Sequence, residues 1–170
     1  MKNLLDISKI EAGKIELERK EIDIASLIKE TIKDYKGEFS KKRLFLETSI
    51  PDDIGLLWGD RDKIEQIMIN LLSNAAKYTQ AGGLVLVRLS GSDNEVRFEI
   101  SDTGPGIAKE DIPRVFDKFE RLVADREDGA GLGLSIVKDI VELHRGKIWI
   151  ESKVGKGTTF IFVLPRDLRK

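Results

Sequence analysis

Four short runs of this 170-residue sequence concentrate amide, carboxylate, guanidinium and glycine groups at spacings that permit concerted chemistry. The first is Asn70-Leu71-Leu72-Ser73-Asn74-Ala75-Ala76-Lys77-Tyr78. On a helix, Asn70, Asn74 and Lys77 share one face, opposite an apolar stripe of Ile64, Ile67, Met68, Leu71, Leu72 and Ala75. Amide oxygens suit a hard cation such as Mg²⁺ held beside phosphates, and a lysine brings positive charge to phosphate oxygens. The same face also suits plain solvation. The second run, Asp102-Thr103-Gly104-Pro105-Gly106-Ile107, puts a carboxylate where a strand ends. Such a carboxylate can accept from an exocyclic amine, and the glycines let a flat ring approach the backbone. As a bare pattern it is also a turn.

The third run, Phe116-Asp117-Lys118-Phe119-Glu120-Arg121, pairs core-type aromatics with an arginine able to close over a phosphate. The fourth, Gly129-Ala130-Gly131-Leu132-Gly133-Leu134-Ser135, leads into a helix. Glycines there either hinge the chain or expose backbone N–H groups at the helix N-terminus to an anion. This run fits neither the Walker pattern nor the dinucleotide fingerprint.

The elements that hold these runs follow from periodicity. Apolar spacing predicts helices over about 1–12, from Ser26 through Phe39, from about Asp60 (as N-cap) to Tyr78, and over Leu134–Leu143. Strands are expected at Glu21–Ile24, Leu44–Ser49, Leu56–Gly59, Leu84–Leu89, Glu95–Ser101, Lys147–Ser152 and Thr158–Leu164. Helices interleaved with mostly antiparallel strands imply an α+β fold, a two-layer α/β sandwich with a mixed, mostly antiparallel sheet on about three helices.

Composition removes several functions. With no cysteine and one histidine, there is no disulfide, thiolate zinc site, cysteine nucleophile or His-rich metal site. Lys and Arg number 29 against 30 Asp and Glu, so no broad nucleic-acid surface is signalled. No apolar run approaches the roughly 18–20 residues of a membrane span. The sequence reads as a cytoplasmic piece, with membrane anchoring of a longer parent left open.

The order of the four runs resembles the histidine-kinase branch of the superfamily shared by DNA gyrase, Hsp90, histidine kinases and MutL. Asn70–Tyr78 looks like its N box, Asp102–Ile107 its G1 box, Phe116–Arg121 its F box and Gly129–Ser135 its G2 box. The likeness continues through Lys147–Ser152 and Gly155–Phe160 and covers about residues 20–165. It implies the Bergerat-type sandwich, with ATP (or ADP) and Mg²⁺ under a mobile lid at about residues 120–132. By that resemblance Asp102 bonds the adenine amine with help from Thr158, and Gly104, Gly106 and Ile107 line the base pocket. Asn74 and Asn70 hold Mg²⁺, while Lys77 and Tyr78 lie along the phosphates and sugar. Arg121 contacts the γ-phosphate, and Gly129, Gly131, Leu132, Gly133 and Leu134 surround the phosphates. Asn70, Lys77 and Arg121 are the residues assigned to catalysis.

The ATP-hydrolysing relatives have a glutamate where this chain has Asn70. An amide cannot take a proton from water, which favours phosphoryl transfer to a side chain over hydrolysis. The family's acceptor is a histidine, and His144 in Val141-Glu142-Leu143-His144-Arg145-Gly146 is a helix-end residue rather than that acceptor. Arg145 stands where a glycine is more usual. Residues 1–17 look like the tail of the second helix of a dimerisation and phosphoacceptor domain, and 18–170 like the catalytic domain. The expected partners are that phosphoacceptor domain, in a homodimeric parent, and a response-regulator receiver domain. The piece itself is expected to be a monomer, or a weak dimer through residues 1–17. Competing readings are an ATP-hydrolysing clamp or chaperone relative, and a nucleotide-binding module without catalysis.

Overall fold

Among the described residues Asp23 and Asp60 start two of the three α-helices, each by offering its carboxylate to a backbone N–H three residues on. In the computed structural model, which describes residues 16–118 and 131–167, α1 spans Ile24–Lys41, α2 Arg61–Tyr78 and α3 Gly133–Leu143. α1 therefore begins before Ser26. Asp23 is the cap, accepting from Ser26 N at 3.0 Å and from Ser26 Oγ at 2.8 Å. α1 and α3 end in the same device. Arg43 N bonds Ser40 O and Leu44 N bonds Phe39 O; Arg145 N bonds Glu142 O and Gly146 N bonds Val141 O. Both are Schellman turns, and they hold Arg43 and Arg145 at φ 55° and 56°. Arg145 thus occupies a left-handed position that glycine would take without steric cost.

Five strands form the main sheet: β2 (Phe45–Ser49), β4 (Leu84–Gly91), β5 (Glu95–Asp102), β6 (Lys147–Lys153) and β7 (Gly157–Pro165), in the order β2-β4-β5-β7-β6. β2 and β4 are parallel, and the other pairs antiparallel. β1 (Lys20–Asp23) and β3 (Leu56–Gly59) form a separate antiparallel ribbon, and Ile112–Arg114 makes one 3₁₀ turn. Ile24, expected to close the first strand, is instead the first helical residue. The fold is thus a two-layer sandwich, three helices on a mixed, mostly antiparallel sheet.

Alternation along the strands sends one set of side chains to the helices. The rows Val96–Leu164, Phe98–Phe162 and Ile100–Phe160 cross from β5 to β7, with Phe98 and Phe162 stacked at 4.3 Å. Against them α2 packs Ile64, Ile67, Met68, Leu71 and Leu72, all fully buried. Each such side chain contributes about 1.5–3 kcal/mol by leaving water. The same alternation places Asp102 and Thr158 at the end of the row, on the helix-facing side.

His144 joins the helices at the other end. It is buried, its Nδ1 donates to Ile140 O at 2.8 Å, and its Nε2 accepts the Asp60 N–H at 3.1 Å. Those two bonds require a neutral ring with its proton on Nδ1. Asp60 in turn accepts from Lys63 N and from Glu18 N, tying the segment ahead of β1 to the start of α2.

Candidate nucleotide-binding site

The candidate site lies along α2, between the β5–β7 corner and the start of α3. Asp102 is the last residue of β5, paired with Thr158 near the start of β7. Its Oδ1 accepts the Gly104 N–H at 2.8 Å. Burial holds this carboxyl above the usual carboxylate range, while the backbone N–H groups of Gly104 and Thr158 pull it down. Thr158 is buried, and its hydroxyl lies 2.9 Å from that of Ser152 on β6.

Two glycines let the backbone close this corner. Gly157 has φ 103°, and a Cβ there would overlap the Asp102 carbonyl oxygen. Gly106 has φ 74°, and a Cβ there would overlap Lys153 O. The Asp102–Ile107 turn is therefore seated against the β6–β7 hairpin, with Gly155 N bonded to Pro105 O at 2.7 Å and Ile107 N to Ser152 Oγ at 2.8 Å. Ile107 packs half-buried against the core. From α2, the Tyr78 carbonyl oxygen lies 3.0 Å from where a Cβ on Gly104 would stand, so the helix end leaves room at this turn only for a glycine.

The other end of the site faces α3. The amide nitrogen of Asn70 is buried without a hydrogen-bond partner, and Asn70 Oδ1 lies beside Gly133, about where a Cβ on that glycine would touch it. α3 has no side-chain cap: Leu132 is its buried N-cap, and Gly133, Leu134 and Ser135 form its first turn. Its leading N–H groups thus lack intrahelical partners, an arrangement that favours an anion. Gly131 precedes them at φ 68°.

Asn74 is half-buried one turn along α2 from Asn70, and Lys77 and Tyr78 are exposed, with Lys77 Nζ 5.3 Å from the Tyr78 ring centroid. The amide oxygens of Asn70 and Asn74 are of the kind that ligate a hard cation, whereas the unpartnered Asn70 Nδ2 and the uncapped helix start offer N–H donors that suit phosphate oxygens. Among the described residues no three His, Asp, Glu or Cys side chains converge as a metal site. Phe116 packs edge-on to Phe160 with centroids 6.5 Å apart, a core role for the first aromatic of its run. Phe119, Arg121, Gly129 and most of the expected lid lie outside the described residues, as do residues 1–15.

The sequence reading did not single out Ser152 for chemistry. It had no signal of its own, being one serine near a strand end. It acquires a role through register, which places it across β7 from Asp102.

Residues 59–168, more than half of the chain, match the family described as histidine kinase-, DNA gyrase B- and HSP90-like ATPases. The chain belongs to this family. Among relatives, it is 39% identical over 154 residues to the adaptive-response sensory kinase SasA of Thermosynechococcus vestitus, covering 89% of this chain and 40% of the kinase. It is 36% identical to the circadian input-output histidine kinase CikA of Synechococcus elongatus, covering 97% of this chain and 22% of that one. This chain therefore spans less than half of these kinases. Among solved structures, full-length ShkA in complex with AMPPNP superposes with a TM-score of 0.83 at 30% identity, over 96% of this chain and 34% of that one. The catalytic domain of histidine kinase ThkA superposes at 0.78 and 30% identity, over 88% of this chain and 97% of that domain. ThkA in complex with its response regulator TrrA matches at 0.79 and 27% identity, over 98% of this chain and 48% of that one. This histidine kinase-type ATPase domain has, among its described residues, no helix long and apolar enough to cross a membrane.

Proposed function

We propose that this chain binds Mg-ATP and transfers its γ-phosphoryl group to a histidine on a phosphoacceptor helix, for relay to a response-regulator aspartate. The observation that carries this reading is the division of labour along α2. Acceptors (Asp102 and Thr158) meet its C-terminal end, while an unpartnered amide (Asn70) and an uncapped helix start (Gly133) meet its middle. Asn70 and Tyr78 are eight residues apart, about 12 Å along the axis, the scale of an extended nucleotide.

On this reading Asp102, Thr158, Gly104, Gly106 and Ile107 receive the base, and Lys77 and Tyr78 flank the sugar and phosphates. Gly131, Leu132, Gly133 and Leu134, with Gly129, wrap the phosphates from the α3 side, and Arg121 neutralises charge on the γ-phosphate. Asn74 and Asn70 would hold Mg²⁺, which supplies charge neutralisation between phosphates when bound. Transfer forms a bond from an imidazole nitrogen to the γ-phosphorus and breaks its bond to the β–γ bridging oxygen, so ADP leaves. The imidazole lone pair is the nucleophile, so the enzyme needs no base to activate water, and an amide at position 70 is compatible with this.

Residues 1–17 are proposed as the tail of the second helix of the dimerisation and phosphoacceptor domain and 18–170 as the catalytic domain, working in the cytoplasm within a homodimeric parent. The ThkA–TrrA complex supports a receiver-domain partner. The test is to incubate this chain with labelled ATP and a phosphoacceptor-helix fragment. Acid-labile, base-stable label on the fragment is expected. Tight ATP binding with no transfer would leave a nucleotide-sensing module, and steady phosphate release without the fragment would favour the hydrolysing relatives.

A further inference from the structure

Asp102, Thr158 and Ser152 form one polar row across β5, β7 and β6, in the next register position beyond the apolar row Ile100, Phe160 and Ile150. The hydroxyl of Ser152 is the junction of that row. It lies 2.8 Å from Ile107 N, 3.0 Å from Gly157 O and 2.9 Å from Thr158 Oγ1. A serine hydroxyl has one proton and two lone pairs. The Ile107 N–H can only donate and the Gly157 carbonyl can only accept. Ser152 therefore spends its proton on Gly157 O and one lone pair on Ile107 N–H. The remaining lone pair takes the Thr158 hydroxyl proton. Thr158 is left without a proton to offer the base pocket, and its neighbour Asp102 already accepts from Gly104 N.

Resting on the nucleotide reading above, we propose that Ser152 is a specificity-determining positioning residue of the base site. By holding the Thr158 proton, it leaves the Asp102–Thr158 corner with acceptors only. Such a corner takes a purine with an exocyclic amine and turns away one with a carbonyl at the same position, where lone pairs would face lone pairs. The Ile107 bond couples this polarity to the seating of the Asp102–Ile107 turn.

The test is calorimetric binding of ADP and of inosine diphosphate, in which a carbonyl replaces the exocyclic amine and the adjacent ring nitrogen carries a proton; the Thr158→Val background below separates the threonine's effect on the carbonyl from that second difference. Wild type should prefer ADP. Ser152→Ala frees the Thr158 proton to serve a carbonyl, so the ADP-to-IDP affinity ratio should narrow about five- to tenfold. Ser152→Thr keeps the hydroxyl and should restore the ratio. In a Thr158→Val background, Ser152→Ala should leave the ratio unchanged, since no threonine proton remains to redirect. A merely structural serine would weaken both ligands alike. A ratio that Ser152→Ala does not move, one that moves equally in the Thr158→Val background, or equal affinities in wild type would each overturn the inference. Failure of wild type to bind either diphosphate would overturn the nucleotide site itself, and the inference with it.

Discussion

Replacing Asp102 by asparagine should move ligand affinity and stability in opposite directions. The side chain keeps its size and one oxygen for the Gly104 N–H, now 2.8 Å from Oδ1, and loses its charge. Toward a base amine, a charge-assisted hydrogen bond is replaced by an amide that can present its own donors. Hydrogen bonds to charged groups are worth about 1.5–3 kcal/mol, so ADP affinity should fall roughly 10- to 150-fold, as it should for Asp102→Ala. Without ligand the sign reverses. Burial raises the Asp102 carboxyl above its ordinary 3.8, so its contribution to stability is full below that pH and is lost as pH rises through the folded value. At pH 7 the wild-type domain carries a desolvated charge that Asp102→Asn removes. The variant should then be at least as stable as wild type in urea at pH 7, and the gap should close toward pH 4. Calorimetry with ADP and Mg²⁺, beside urea melts at both pH values, reads both arms. Affinity unchanged within twofold would refute the base assignment. A variant clearly less stable than wild type at pH 7 would refute the desolvation argument and make Asp102 a residue of the fold.

Asn74→Ala should lower ADP affinity when Mg²⁺ is present and leave the Mg²⁺-free affinity within about twofold; equal losses in both titrations would remove Asn74 from the metal. His144 gives a second pH signature. Burial, assisted by Arg19, depresses its imidazole against the opposing effects of Ile140 O and Asp60, so the fold holds it neutral. Its stabilising contribution is present above the ordinary value of about 6.5 and lost as pH falls through the folded value. His144→Leu leaves the buried Asp60 N–H without its acceptor, costing about 1–3 kcal/mol at pH 7, and that deficit should shrink by pH 5. Parallel stability curves for the two proteins between pH 5 and 7 would sink this account.

The helices were readable from the sequence because their causes are local. The stripe from Ile64 to Ala75 and the cap at Asp60 involve residues three or four apart, and α2 runs as that spacing predicts. The start of α1 was misplaced for an equally local reason: Asp23 and Ser26 both suit a cap, and Asp23 captures the Ser26 N–H. Strand existence was legible from alternation, and so was the backbone freedom of Gly106, which holds φ 74° where a Cβ would overlap Lys153 O. Pairing was less accessible. Nothing within a few residues of Leu84 or Phe45 states that their strands run parallel. Arg145 stands where a glycine is more usual, and only the closed Schellman turn shows that this position is left-handed.

Residue types and short spacings thus indicated the three described helices and the strand set, because hydrophobic periodicity and capping act within a turn or two of the chain. Register did the rest. It aligned Asp102, Thr158 and Ser152, which come from three separate strands, and packing of α2 against α3 set Asn70 beside Gly133 and Asp60 on His144. Those juxtapositions arise when the helical layer closes on the sheet and each polar group left at its edge must find a partner. A buried hydroxyl such as that of Thr158 acquires a direction only once its neighbours have been brought to it.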